Sequence, residues 1–199
     1  MPIGNILIIP KEYNAYQLEE INIVLSLERN AIDGFAPLYL ASRENQRKAY
    51  GRILGFYTDE GGLWSTIDLP NETAKAENGR DLPGNFSANE IFRRFIIDHS
   101  YSEKDSVWDE ETNSLTLNKW ALRQIYYLPQ GRKSDTEATR SSFMVDTPTS
   151  YRATVSRARY LLHIAKLQGE DPALLRGLRL GDLERRIEHI IQEVEIHKP

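Results

Sequence analysis

Not one of the 199 residues is cysteine. That absence excludes disulfide staples, thiol nucleophiles and Cys-ligated zinc together, and it leaves the redox compartment open. No apolar run approaches the roughly 20 residues that a membrane-crossing helix needs. The opening MPIGNILIIP has neither the basic n-region nor the longer apolar core of a signal peptide. These gaps lead to the expectation of a soluble, cytoplasmic chain with no membrane partner.

The motifs of common chemistries are missing too. There is no Walker A loop, no GxGxxG and no GxSxG, so a nucleotide cradle and a serine-hydrolase elbow have no support. The four histidines, His99, His163, His189 and His197, show no HExxH or other tight ligand spacing. Asp98 beside His99 is the nearest thing to an acid/base pair, yet neighbours on a helix diverge. A magnesium-dependent carboxylate site would want an acid followed by Glu-x-Lys, and no such run occurs. Asp109, Glu110 and Glu111 cluster where a hairpin turn normally carries solvated acids. No catalytic residue, metal ligand or cofactor is therefore assigned.

What is present is a globular composition, 40% hydrophobic and 27% charged, in 22.9 kDa. That suffices for one ordinary domain with an appendage, or for two small ones. The strongest local signal is GRILGFYTDEGGLWSTIDL, residues 51–69. Two arms rich in β-branched and aromatic residues flank Asp59, Glu60, Gly61 and Gly62, which reads as a β-hairpin with a four-residue glycine turn. On the second arm Leu63, Ile67 and Leu69 share one face and Trp64, Thr66 and Asp68 the other, so one side is wet. The first arm, Ile53 to Tyr57, is apolar on both sides, which predicts an interior strand beside one nearer the edge.

Around this hairpin the chain reads as follows. Ile3 to Ile9 is a short apolar strand closed by Pro10. The spacing of Leu18, Ile21, Val24, Leu25 and Leu27 predicts a helix over 15–30. PLYLA, residues 37–41, reads as a strand. Ser87 with Glu90 forms a capping box for a helix ending near His99. Val107 and Trp108 pair with Leu115 and Leu117 in a second hairpin, and WALRQIYYL, residues 120–128, is read as a strand from its tyrosines and isoleucine. Residues 130–150 are polar and turn-rich, a linker or long loop. Beyond them Tyr151 to Leu167 and Asp182 to Ile196 are helical, with Asp182 as N-cap and a short helical turn between Pro172 and Leu180. The fold class is α+β: an antiparallel β-rich, barrel- or sandwich-like N-terminal domain over 1–129, followed by the linker and a helical extension over 151–199.

The net charge of −4 opposes a general affinity for nucleic acid. Its distribution is uneven. Residues 151–199 hold nine Lys and Arg against seven Asp and Glu, which leaves 16 against 22 in the first 150. Arg152, Arg157, Arg159 and Lys166 lie in a window, 147–168, that contains no acid. That window is either a solvated helix face or a contact for an anion, nucleic acid or acidic partner. The last helix carries an apolar stripe, Leu183, Ile187, Ile190, Ile191 and Val194, suited to a core contact or to a helix pair with another chain.

The order of these signals, and in particular Gly51, Arg52 and Ile53 followed by Asp59 to Leu63 and Trp64, resembles the head-maturation (prohead) proteases of tailed phages. The likeness covers about 21–128. That family's histidine falls just before this hairpin, near Tyr39 to Ser42, and no histidine precedes His99 here. The resemblance therefore implies a barrel-like domain kept for assembly contacts and without protease activity, since a serine lacking its base is poorly activated. It also places the chain in a virion if its source is a phage. Three functions follow: a non-enzymatic structural or assembly protein that binds a protein partner or itself; a nucleic-acid-associated protein using helix 152–166; and a hydrolase whose site lies too scattered to read.

Overall fold

The computed structural model describes residues 3–42, 49–68, 95–127, 144–145 and 151–196. In chain order the strands are β1 (Ile3–Pro10), β2 (Ala15–Leu18), β3 (Ile21–Leu25), β4 (Ile32–Phe35), β5 (Tyr39–Ser42), β6 (Ala49–Asp59), β7 (Gly62–Asp68), β8 (Phe95–Tyr101), β9 (Ser106–Asp109), β10 (Ser114–Leu117), β11 (Trp120–Tyr127) and β12 (Met144–Val145). The helices are α1 (Tyr151–Leu167), α2 (Pro172–Leu175) and α3 (Leu180–Ile196). The fold is α+β, with a curled, half-barrel sheet and a C-terminal helical region. Two compact units divide the chain: residues 1–16, 27–100 and 120–147 form one, and 17–26, 101–119 and 148–199 the other.

The first unit is built on an eight-stranded sheet in the order β1-β7-β6-β5-β11-β8-β12, with β4 also paired to β11. The hairpin 51–69 is its spine, as predicted, since β6 and β7 pair antiparallel from Arg52 opposite Asp68 to Asp59 opposite Gly62. The turn is shorter than the four residues expected. The last pair leaves a two-residue turn, Glu60–Gly61, because the Asp59 carboxylate accepts from the backbone N–H of Gly61 at 2.7 Å and of Gly62 at 3.2 Å and so tightens the loop. The arms stand as expected, β6 interior between β7 and β5, and β7 nearer the edge with β1 along its outer side. Leu63, Ser65 and Ile67 are buried while Trp64, Thr66 and Asp68 are half-buried, the alternation expected of one covered face. Leu54, read as an interior residue, is 48% exposed, because the ladder slips between Ile53 and Gly55 and leaves it as the extra residue of a bulge.

The strands Ile3–Pro10, Tyr39–Ser42 and Trp120–Tyr127 confirm three further expectations. The core beneath them includes Ile9, Ile96, Ile97, Trp120, Leu122 and Ile125, all essentially inaccessible. Each such side chain contributes about 1.5–3 kcal/mol relative to exposure. The capping-box helix from Ser87 begins outside the described residues, but its expected last turns, from Phe95 to His99, are strand β8 instead. There Ile96, Ile97 and His99 are buried, and strand pairing satisfies the backbone in place of a helical repeat. The polar stretch 130–150 lies outside the described residues except for β12, which pairs parallel with β8.

In the second unit a four-stranded sheet runs β2-β3-β10-β9. The helix expected over 15–30 is overturned. Ile21, Ile23 and Leu25 are buried, with Asn22 and Val24 between them half-buried, so the period is two. Three β-branched residues in five favour strand, and Glu19 at φ 55° makes the turn that separates β2 from β3. The deciding interaction is remote: β3 pairs parallel with β10, about 90 residues later, with Asn22 N–H donating to Asn113 O at 2.8 Å and Ser26 N–H to Leu117 O at 3.2 Å. The second hairpin, β9–β10, forms as predicted. Tyr151, Val155, Ala158, Leu162 and Ala165 give α1 a buried stripe, and α3, on which Leu183 and Ile187 are buried, packs against α1. The helix begins at Leu180, two residues before the predicted cap, so Asp182 sits inside its first turn, where a carboxylate still opposes the helix dipole. Among the described residues no helix is long and apolar enough to cross a membrane.

Candidate functional site

The residues singled out as possible contacts fall on α1 and α3, and the packing of the second unit sorts them. On α3, Leu183 and Ile187 are only 3% and 5% exposed. Leu183 borders a small internal gap with Ala158 and Leu162 of α1 and Leu175 of α2. Further along, Ile190 is half-buried and Ile191 is 47% exposed. Val194 lies on the described backbone, with its side chain outside the described ones. The stripe therefore divides into a half that closes the unit's own core and a half that begins to face outward. Tyr160 and Leu167 on α1 and Leu174 on α2 are also largely exposed.

The four cations of the acid-free window each meet a group from another part of the chain. Arg152 pairs with Glu19. Arg157 bridges Glu184 at 2.5 Å and approaches Glu103 at 4.0 Å. The Arg159 guanidinium lies 4.9 Å from the centroid of the Trp108 ring and donates to Asn113 Oδ1 at 3.5 Å. Lys166 Nζ donates to Glu110 Oε2 at 2.6 Å. Such exposed pairs contribute little stability one by one, about 0–1 kcal/mol. Their effect here is on charge, because every cation predicted to seek an anion already has a carboxylate, amide or ring beside it.

The turn acids Glu110 and Glu111 are exposed, as the sequence reading has them, and they also carry ion pairs. Glu110 pairs with Lys166 of α1, while Glu111 meets Arg176 at 2.7 Å and Asp109 lies 4.0 Å from the same guanidinium. The backbone N–H of Glu111 donates to Asp109 Oδ1 at 2.9 Å and, with the nearby cation, holds that carboxyl below its ordinary pKa. Asp105 is lowered likewise, first by the Ser102 hydroxyl at 2.6 Å and then by Arg179 at 3.1 Å. The turn and the helices enclose an open cleft of about 100 Å³ over Trp108, Leu162 and Leu175. Its charged rim is already paired, Glu110 with Lys166 and Glu111 with Arg176. No sequence signal marked this arrangement, since three acids in a turn look the same whether or not distant cations fold onto them.

Asp98 and His99 do not form an acid/base pair. They are consecutive on strand β8, where neighbours project to opposite faces, and His99 is fully buried while Asp98 is half-buried. His99 packs edge-on against Trp120, centroids 5.9 Å apart. Burial lowers its pKa from 6.5 to about 4, with Arg123 adding to the effect and Asp98 opposing it. A folded pKa below the unfolded one means that the unfolded chain binds the extra proton between about pH 6.5 and 4. Stability is therefore present above that window and falls as pH drops through it, by about 3 kcal/mol in total. Urea midpoints measured across this range should show the fall, and His99→Gln should flatten it; equal slopes in both proteins would place the titration elsewhere.

Among the described residues no group of three or more His, Asp or Glu is placed to hold a metal ion. Comparison with known proteins finds no matching family model, no matching curated protein and no matching solved structure.

Proposed function

We propose that this chain is a non-enzymatic structural or assembly protein, whose helical second unit docks on further copies of itself or on a protein partner. The observation that carries this reading is the exposed apolar set on the helices, Ile191 with Tyr160, Leu167 and Leu174, which water alone does not favour. The pairing of Arg152, Arg157, Arg159 and Lys166 with groups of their own unit supports a protein surface over a phosphate backbone as the target. The resemblance to head-maturation proteases adds a phage-like particle as the setting, with the hairpin domain retained and the hydrolytic histidine missing.

Sedimentation of the full chain over a range of concentrations tests the docking. Ile191→Asp should shift the profile toward the smaller species while leaving the melting temperature within about 1–2 °C, since the position is half in water. A monomer at every concentration, with the variant sedimenting identically, would remove the self-association reading. Salt-dependent retention of the wild-type chain on RNA or DNA would move the function to the nucleic-acid alternative.

A further inference from the structure

The first unit carries a second surface that these contacts do not use. Opposed residues of an antiparallel ladder project to the same side. Leu63, Ile67 and their partners Thr58 and Ile53 therefore mark the inner side of β6–β7, and Tyr57 with Trp64, Gly55 with Thr66 and Arg52 with Asp68 mark the outer one. Tyr39 of β5 stands opposite Arg52 and extends this face by one strand. Tyr39, Leu54 and Tyr57 are 52%, 48% and 41% exposed.

The face combines a fixed aromatic platform with hydrogen-bonding groups. Trp64 Nε1–H donates to Asp59 Oδ1 at 2.7 Å, the oxygen that also closes the hairpin turn, so the indole is held before any ligand arrives. The Tyr57 and Trp64 rings are parallel within 4°, centroids 6.2 Å apart. Beside them a Cβ on Gly55 would meet no atom within 4 Å, which leaves a shelf in the middle of the face. Thr66 Oγ1–H donates to Asn5 Oδ1 at 2.9 Å, which leaves the exposed amide nitrogen of Asn5 as a donor. From Tyr57 to Arg52 the strand advances roughly 15 Å.

Charge selects the ligand class. Arg52 is matched across the ladder by Asp68, and Asp59 sits at the N–H edge of the indole, so the face offers no excess of positive charge to a polyanion. Planar rings present a negative π-face to C–H edges, while amide, hydroxyl, carboxylate and guanidinium groups match vicinal hydroxyls. We infer that the outer face of β5–β6–β7 binds a neutral oligosaccharide, with one sugar ring stacked on Trp64 and Tyr57 and its neighbours bonded by Asn5, Thr66 and Arg52.

Intrinsic fluorescence reads this directly. Of the three tryptophans, Trp108 and Trp120 are 7% and 1% exposed, and Trp64 alone is half-buried at the surface. The full chain is titrated with maltohexaose, cellohexaose and chitohexaose at up to millimolar concentration. At least one should shift the emission, with an affinity unchanged by high salt and weakened about tenfold by Tyr57→Ala, the loss expected for one stacked ring. Trp64→Ala should abolish the signal and, by calorimetry, the binding; Tyr57→Ala decides the matter if Trp64→Ala lowers the melting temperature. The inference is overturned if none of the three sugars shifts the emission, if binding survives Tyr57→Ala undiminished, or if a thymidine oligonucleotide binds in a salt-sensitive way and the sugars do not.

Discussion

Gly62→Ala should lower the stability of the first unit by about 4 kcal/mol, among the largest effects that a single methyl group can have here. Gly62 has φ 138°, and a Cβ built there would meet Ile9 O at 2.1 Å, Lys11 N at 2.9 Å and Pro10 Cα at 3.0 Å. All three are backbone atoms of the neighbouring edge strand and its exit, so no side chain can swing aside. The clash is compounded by the Lys11 N–H bond to Gly61 O at 3.0 Å, which ties the two chains together at that point. Relief would require parting β1 from β7. Gly61 is the internal comparison: it is not in the left-handed region, and its Cβ would meet Asp59 Oδ1 at 3.2 Å and Trp64 Cζ2 at 3.6 Å. Gly61→Ala should therefore cost less than about 1 kcal/mol. Paired denaturation curves check this, and similar midpoints for the two variants would show that the strain is not at Gly62.

That contrast also shows how far the sequence could be read. The doubled glycine announced a turn, because two residues free of Cβ between apolar arms have few other uses. Which of the two bears the positive φ depends on β1 passing alongside, a contact between segments some 50 residues apart, and nothing in a local window contains it. The same limit explains 15–30. Leu18, Ile21 and Leu25 satisfy a helical spacing and Ile21, Ile23 and Leu25 a strand spacing, and only the parallel pairing with β10 decides between them. The elements whose signals were self-contained, namely the two hairpins, β11, α1 and most of α3, were legible because their periodicity ran long enough or their turns were specific enough. The basic window was legible as a composition but not as a surface, since the acids that answer it come from Glu19, Glu103, Glu110 and Glu184.

The apolar stripe of α3 offers the other large effect, and it separates packing from docking within one helix. Ile187 is 5% exposed, on the helix that packs against α1. Ile187→Asp removes a buried aliphatic side chain, which costs about 2–5 kcal/mol, and puts in its place a carboxylate that must either stay charged without water or take up a proton. The helical unit should lose at least about 4 kcal/mol of stability at neutral pH. Because burial raises the pKa of a carboxyl group, the variant should recover part of that loss as pH falls and the aspartate becomes neutral. Ile191, one turn later and 47% exposed, lacks this environment, so the same substitution there should spare stability and act only on association. Far-ultraviolet circular dichroism followed through a urea titration resolves the two. A midpoint for Ile187→Asp within about 0.5 kcal/mol of wild type would mean that this turn of α3 is not core, and the whole stripe would then be free to meet a partner.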